Sequence, residues 1–234
     1  MMDAHALLQR LSQRLSPLAD AERAKAMSDY MRQQFPFLGI ATPSRRQQAK
    51  AWWAELGRQP EEPQLLALAE QLWQRAEREY HYIAIDLLIR FAQRLTPAAR
   101  PVLSYMLQQH SWWDSIDPLS SKVVGPLCLR WPQLQPTLDA WSTDDNLWLR
   151  RTALLHQLGF KQQTRADILF GYCEANLDHP DFFIRKGMAW ALREYAYTNR
   201  EAVVDWVLQH RHRLSALTLR EMRLKLPVAD GSPV

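Results

Sequence analysis

Three separated stretches of this chain carry acids, cations and indole rings at spacings that suit chemistry on an anionic polymer. The last is the plainest. From about Phe182 to Thr198 a helical wheel at about 100° per residue gathers Ile184, Met188, Leu192 and Tyr195 into one apolar stripe. Nearly opposite, Lys186, Trp190, Arg193 and Tyr197 share a second arc with Phe182. Cations interleaved with rings on one helix face suit a polyanion that also offers sugar edges or flat bases.

The middle stretch, around Leu147 to Phe160, sets Arg151 inside an apolar arc of Leu147, Leu154, Leu155 and Leu158. A guanidinium among leucines must find an anion, a groove or water. Two readings stand side by side: a structural arginine tied to a carboxylate or carbonyl, or a cation facing a groove. In the first stretch, Ser111 to Pro118, a helix would hold Trp113 and Asp117 one turn apart, with Trp112, Ile116, Leu119 and Val123 toward the core. A carboxylate beside an indole can steady a cationic centre and orient a water. The same residues also fit end caps, Ser111 with Asp114 as a capping box and Asp117 as an N-cap before Pro118.

The elements that must position these residues are helices. Forty-seven per cent of the 234 residues are apolar, glycines number only 7, and Ala/Leu/Gln/Arg/Glu runs alternate with prolines, so helix propensity is high and strand alternation almost absent. Breaks near Pro17, Pro36 to Gly39, Pro60 to Pro63, Pro97, Pro118, Pro132, Thr143 to Asp145, Gly159 and Pro180 are too short for linkers. Short breaks make antiparallel hairpins. Trp113, Trp148 and Phe183 recur every 35 residues, Trp148-Leu149-Arg150-Arg151 matches Phe183-Ile184-Arg185-Lys186, and Tyr80 to Ile85 reads as an earlier copy. The expectation is an all-α, HEAT-like or armadillo-like solenoid. It forms a single domain over 1–226, with a frayed tail at 227–234.

Net charge is +4 with a pI near 9.2, which permits nucleic-acid binding without requiring it. Cys128 and Cys173 lack metal-ligand spacing and read as buried reduced thiols. No HExxH, Cys/His cluster, GxGxxG or P-loop occurs, so no metal and no cofactor is expected. No signal pattern and no long apolar run is present, and the expectation is a soluble, cytoplasmic monomer.

Ser111 to Asp117, Asn146 to Arg151 and Phe182 to Lys186 leading to Tyr195 together resemble the AlkD family of DNA alkylation repair glycosylases. So do Tyr30-Met31, Phe35 to Ile40 and Thr42 to Arg46, in the same order. The resemblance implies a HEAT-like solenoid with a basic concave groove for duplex DNA. It also implies hydrolysis of the N-glycosidic bond of cationic purines such as 3-methyladenine and 7-methylguanine, without obligatory base flipping. By this resemblance Asp117 is the catalytic carboxylate, Trp113 and Trp190 wall the lesion's deoxyribose, Arg151 and Arg193 contact the DNA backbone, and Tyr30 lines the cleft. Lys186, Arg45 and Arg46 join the expected phosphate contacts. Pro118, directly after the carboxylate, departs from the family pattern and bears on where that helix starts. The competing reading is a non-catalytic helical-repeat scaffold that binds DNA or protein.

Overall fold

The computed structural model describes residues 4–224, so the expected tail at 227–234 lies outside the described residues. The described chain is helical throughout, with no strand. Its contacts separate into two compact units, Met1–Met106 and Leu107–Val234. None of its helices is long and apolar enough to cross a membrane.

The first unit holds α1 (Ala4–Leu15), α2 (Ala21–Tyr30), α3 (Thr42–Trp53), α4 (Glu62–Trp73), α5 (Arg78–Arg90) and the start of α6 (Arg100–Gln108). Leu7, Leu11 and Leu15 recur one turn apart and bury the inner face of α1. The Trp52 indole N–H donates to the Leu7 carbonyl at 2.8 Å, tying α3 beneath α1. Truncating such a leucine to alanine costs about 2–5 kcal/mol. The stretch between α2 and α3 is fixed from below by a buried acid. The Glu79 carboxylate accepts from the N–H groups of Leu38, Gly39 and Ile40 at 2.9, 2.8 and 3.1 Å. Gly39 has φ +82°, and a Cβ there would sit 2.0 Å from the Asp20 carbonyl. Only glycine fits, which gives the Phe35 to Ile40 motif a structural cause.

The second unit holds α7 (Trp113–Leu119), α8 (Gly125–Arg130), α9 (Gln135–Trp141), α10 (Leu147–Leu155), α11 (Ala166–Glu174), α12 (Phe182–Ala196), α13 (Arg200–His210) and α14 (Ala216–Met222). Helices α7, α10, α12 and α14 pack in succession, each on the next, and short turns return the chain through the others. This is the stacked-hairpin order of a helical solenoid. Side chains start the later helices: Asn146 accepts from Trp148 N–H, Asp181 from Phe183 N–H and Ser215 from Thr218 N–H. Both cysteines are buried free thiols, and burial pushes Cys128 up to about 12.

The repeat is real, but its register differs by one residue from the tryptophan spacing. Helix starts align Trp112, Asn146 and Asp181 as N-cap residues, so Trp113 corresponds to Leu147 and Phe182. The rings that meet are therefore Trp112, Trp148 and Phe183, with centroids 5.1–5.8 Å apart. In this register Asp117, Arg151 and Lys186 are each the fifth residue after the N-cap. Tyr82 holds that place in α5 after Glu77, which supports the earlier copy read at Tyr80 to Ile85.

Candidate lesion-binding cleft

The carboxylate of Asp117 depends on how α7 is built. The helix begins at Trp113 and runs through Pro118, so proline neither moves the start nor makes Asp117 a cap. Both cap readings fail for this reason: Ser111 Oγ donates to the Leu107 carbonyl at 2.6 Å, and Trp112 gives no side-chain cap. Proline lacks an N–H, and the chain responds with a wider π-helical turn at Ser120–Val124. Ser120 Oγ and Ser121 Oγ donate to the carbonyls of Ile116 and Asp117 at 2.6 and 2.7 Å. Ser120 Oγ also lies 3.0 Å from Thr152 Oγ1. The hydroxyls thus occupy carbonyls at the disturbed turn and fasten it to α10.

From α10, Arg151 meets Asp117 edge to edge. Nε donates to Oδ1 at 2.7 Å and Nη2 to Oδ2 at 2.9 Å, while Nη1 donates to the Phe183 carbonyl at 2.5 Å. The guanidinium is sandwiched against α12 because Gly187 stands there: a Cβ would meet Nη1 at 3.1 Å. A glycine inside a long helix weakens it by about 1 kcal/mol relative to alanine, and here it admits the arginine. The side chains of Arg151 and Asp117 are 5% and 14% exposed. Burial pushes the Asp117 carboxyl above its ordinary range, Arg151 pulls it back, and Asp114 adds a smaller upward push. Two in-plane bonds fix the carboxylate plane and leave lone pairs on each oxygen.

Asp117 lies on a cleft of about 550 Å³ with Trp113, Trp190, Lys186 and Arg193. These expected site residues are therefore brought together on α7 and α12. Arg151 also lines the cleft, but as the partner of Asp117; the structure realises its paired reading. Phe182 is exposed at the rim, with the Lys186 ammonium 5.3 Å above its ring.

One cleft residue went unread in the sequence. Glu221 of α14 holds Lys186 Nζ at 3.6 Å and Arg220 at 3.8 Å, and its backbone carbonyl accepts from Arg193 Nη1. Its position amid Arg220 and Arg223 masked it, since nothing local shows that α14 packs on α12. Gly187 did leave a signal, as a glycine within an otherwise strong helical pattern.

The remaining expected residues belong to the first unit. Tyr30 ends α2 and is 72% exposed. Arg46 is exposed, with Nε 3.8 Å from Asp86. Arg45 is not the surface cation expected: it is buried, 3.4 Å from Asp86 and 4.6 Å above the Tyr82 ring. It is the fourth residue after the α3 N-cap, on the side turned inward. Among the described residues no group of three or more His, Cys, Asp or Glu side chains is placed to hold a metal ion.

None of the curated proteins matches this chain significantly. A family model described as DNA alkylation repair enzyme matches residues 11–226. A solved structure from Enterococcus faecalis, described as a predicted DNA alkylation repair enzyme, superposes with a TM-score of 0.81 at 33% identity, covering 90% of this chain and 98% of that one. With the family match spanning nearly all of its length, the chain belongs to the DNA alkylation repair enzyme family.

Proposed function

We propose that this protein is a DNA glycosylase that hydrolyses the N-glycosidic bond of cationic alkylated purines in duplex DNA, with 3-methyladenine and 7-methylguanine as the substrate class. The observation that carries the reading is a carboxylate held rigidly by Arg151 at the edge of a cleft that also presents the indoles of Trp113 and Trp190 and the cations Lys186 and Arg193. Cleaving a glycosidic bond ordinarily takes an acid for the leaving group and a carboxylate for the sugar. An alkylated purine already carries a positive charge. It departs as a neutral base with the bonding electron pair, so no general acid is required.

What remains is the sugar, which becomes an oxocarbenium ion. Asp117 supplies the opposing charge, and the faces of Trp113 and Trp190 favour a cation as well. Water then forms the new bond to the anomeric carbon, and its proton leaves to Asp117 or to solvent. Arg151 is a positioning residue in this scheme: it fixes the carboxylate plane and opposes protonation. Lys186 and Arg193 contact backbone phosphates, Arg46 and Tyr30 act from the first unit, and the protein works as a monomer in the cytoplasm.

A second reading draws on the same ion pair. Arg151 and Asp117 close on each other as a structural tie would, which is what a non-catalytic DNA-binding scaffold needs. Incubation with methylated duplex, with and without chelator, separates the two. Free 7-methylguanine together with abasic sites supports the glycosylase; bound duplex with no released purine supports the scaffold.

A further inference from the structure

We infer that Glu221 is a specificity-determining residue of the cleft, an acidic stand-in for phosphate that loosens the hold on undamaged duplex and so favours duplex carrying a cationic purine. This deepens the reading above and rests on duplex DNA being the substrate. Glu221 belongs to α14, which buried Thr218 and Met222 seat and Ser215 starts. Its backbone is tied to α12, because Arg193 Nη1 donates to its carbonyl. It lines the same cleft as Asp117. One residue thus engages both cleft cations to which phosphate contacts are ascribed, Arg193 through the main chain and Lys186 through the side chain.

The two acids of the cleft are held in opposite ways. Asp117 receives two bonds under 3 Å from Arg151. The Glu221 carboxylate stands with one oxygen 3.6 Å from Lys186 Nζ and the other 3.8 Å from Arg220 Nη2, both beyond hydrogen-bond length. The Lys186 and Glu221 side chains are 41% and 23% exposed, so their pairing is weak and its anion exchangeable. A backbone phosphate that reaches Lys186 must displace this carboxylate, and Arg220, on the other oxygen, gives it an alternate partner. The displaced carboxylate still faces an anionic backbone, which opposes binding. A cationic purine in the cleft supplies a counter-charge and offsets that opposition; a neutral purine does not. Specificity is a difference of affinities, and here the penalty falls on undamaged DNA.

The test is Glu221→Gln, which keeps the side-chain size and the carbonyl that Arg193 uses; its melting curve checks the fold. Binding is measured across a salt series to two duplexes of one sequence. One is undamaged. The other carries 7-methylguanine on a 2′-fluorinated sugar, where the electron-withdrawing fluorine opposes oxocarbenium formation and keeps the cationic base attached. The variant should bind undamaged duplex roughly threefold to fivefold more tightly, the size of a partly exposed ion pair, with a salt slope steeper by about 0.9 as Lys186 gains a phosphate. Affinity for the methylated duplex should change less, so the ratio of the two affinities shrinks. With Lys186 absent no cation is freed, and Lys186→Gln/Glu221→Gln should keep the slope of Lys186→Gln. Weaker binding of undamaged duplex by Glu221→Gln would make Glu221 a support for Lys186 and overturn the inference. So would unchanged affinities, or a gain of equal size on both duplexes. Purine release from ordinary methylated duplex by wild type is read in parallel. If release occurs while the ratio holds, only the role of Glu221 is lost; if the ratio shrinks without release, only the glycosylase is lost.

Discussion

Each unit buries an arginine against an aspartate from a neighbouring helix, and the two pairs behave differently. Arg45 and Arg151 are 7% and 5% exposed, and Asp86 and Asp117 are 18% and 14% exposed. Yet Arg151 meets Asp117 with two bonds under 3 Å and gives a third to a backbone carbonyl. Arg45 reaches Asp86 once, at 3.4 Å, rests on the Tyr82 ring and leaves Nε without an acceptor. Burial lowers the pKa of the Arg45 guanidinium, a cost that Asp86 and Tyr82 only partly offset. Residue type and burial therefore do not make a site. Geometry does, and Gly187 supplies the space that one pair has.

The comparison breaks hardest at Arg151. Removing one partner of a buried pair costs about 3–5 kcal/mol, so Arg151→Gln should lower the melting temperature more than any single change at Arg45 or Asp86. It should also move a pH profile. Arg151 favours the ionised carboxylate while burial and, less strongly, Asp114 oppose it; without Arg151 these two act unopposed and Asp117 keeps its proton to higher pH. Wild-type excision should fall on the acid side above the ordinary carboxylate pKa of 3.8, and the variant's acid limb should lie higher still. Coincident limbs would remove Arg151 as a positioning residue.

A smaller effect concerns acid stability of the second unit alone. His156 is fully buried, and burial depresses it from 6.5 to about 4; its Nδ1–H donates to the Ala153 carbonyl at 2.6 Å. The unfolded chain takes up this proton at higher pH than the folded one. Stability is therefore complete above about 6.5 and is lost as pH falls toward 4. The loss amounts to about 3 kcal/mol. Urea midpoints across this window should slope more steeply for wild type than for His156→Gln. The smallest effect belongs to the loose pair: Asp86→Asn should cost about 1 kcal/mol, measured by the same denaturation. A loss as large as that of Arg151→Gln would erase the distinction between the pairs.

How much of this was legible in the sequence follows from what each signal depends on. Helix content, the hairpin series and the match of Arg151 with Lys186 rest on periodicity, which is local, and they emerged; the equivalence of Asp117 with them needed the helix starts. So did the oddity of Arg151, because an arginine among leucines must pair with something. Its partner did not emerge, because the choice between caps and an ion pair at Asp117 turns on how α7 meets α10. Pro118 pointed to a displaced helix start; the chain instead absorbs it with a π turn and two serine hydroxyls. Arg45 and Arg46 look equivalent as neighbours in sequence, and one turn of α3 sends the first inward and the second out. Glu221 stayed hidden because its meaning comes from α14 lying against α12.

In the proposed glycosylase the Asp117 carboxylate, rather than the cleft as a whole, drives bond cleavage. Single-turnover release of 7-methylguanine from methylated duplex by wild type and Asp117→Asn, with duplex affinity measured on the same samples, tests it most directly. Affinity should be nearly unchanged and the rate lower by on the order of 10²-fold, about 3 kcal/mol of transition-state stabilisation. Equal rates for the two proteins would contradict it.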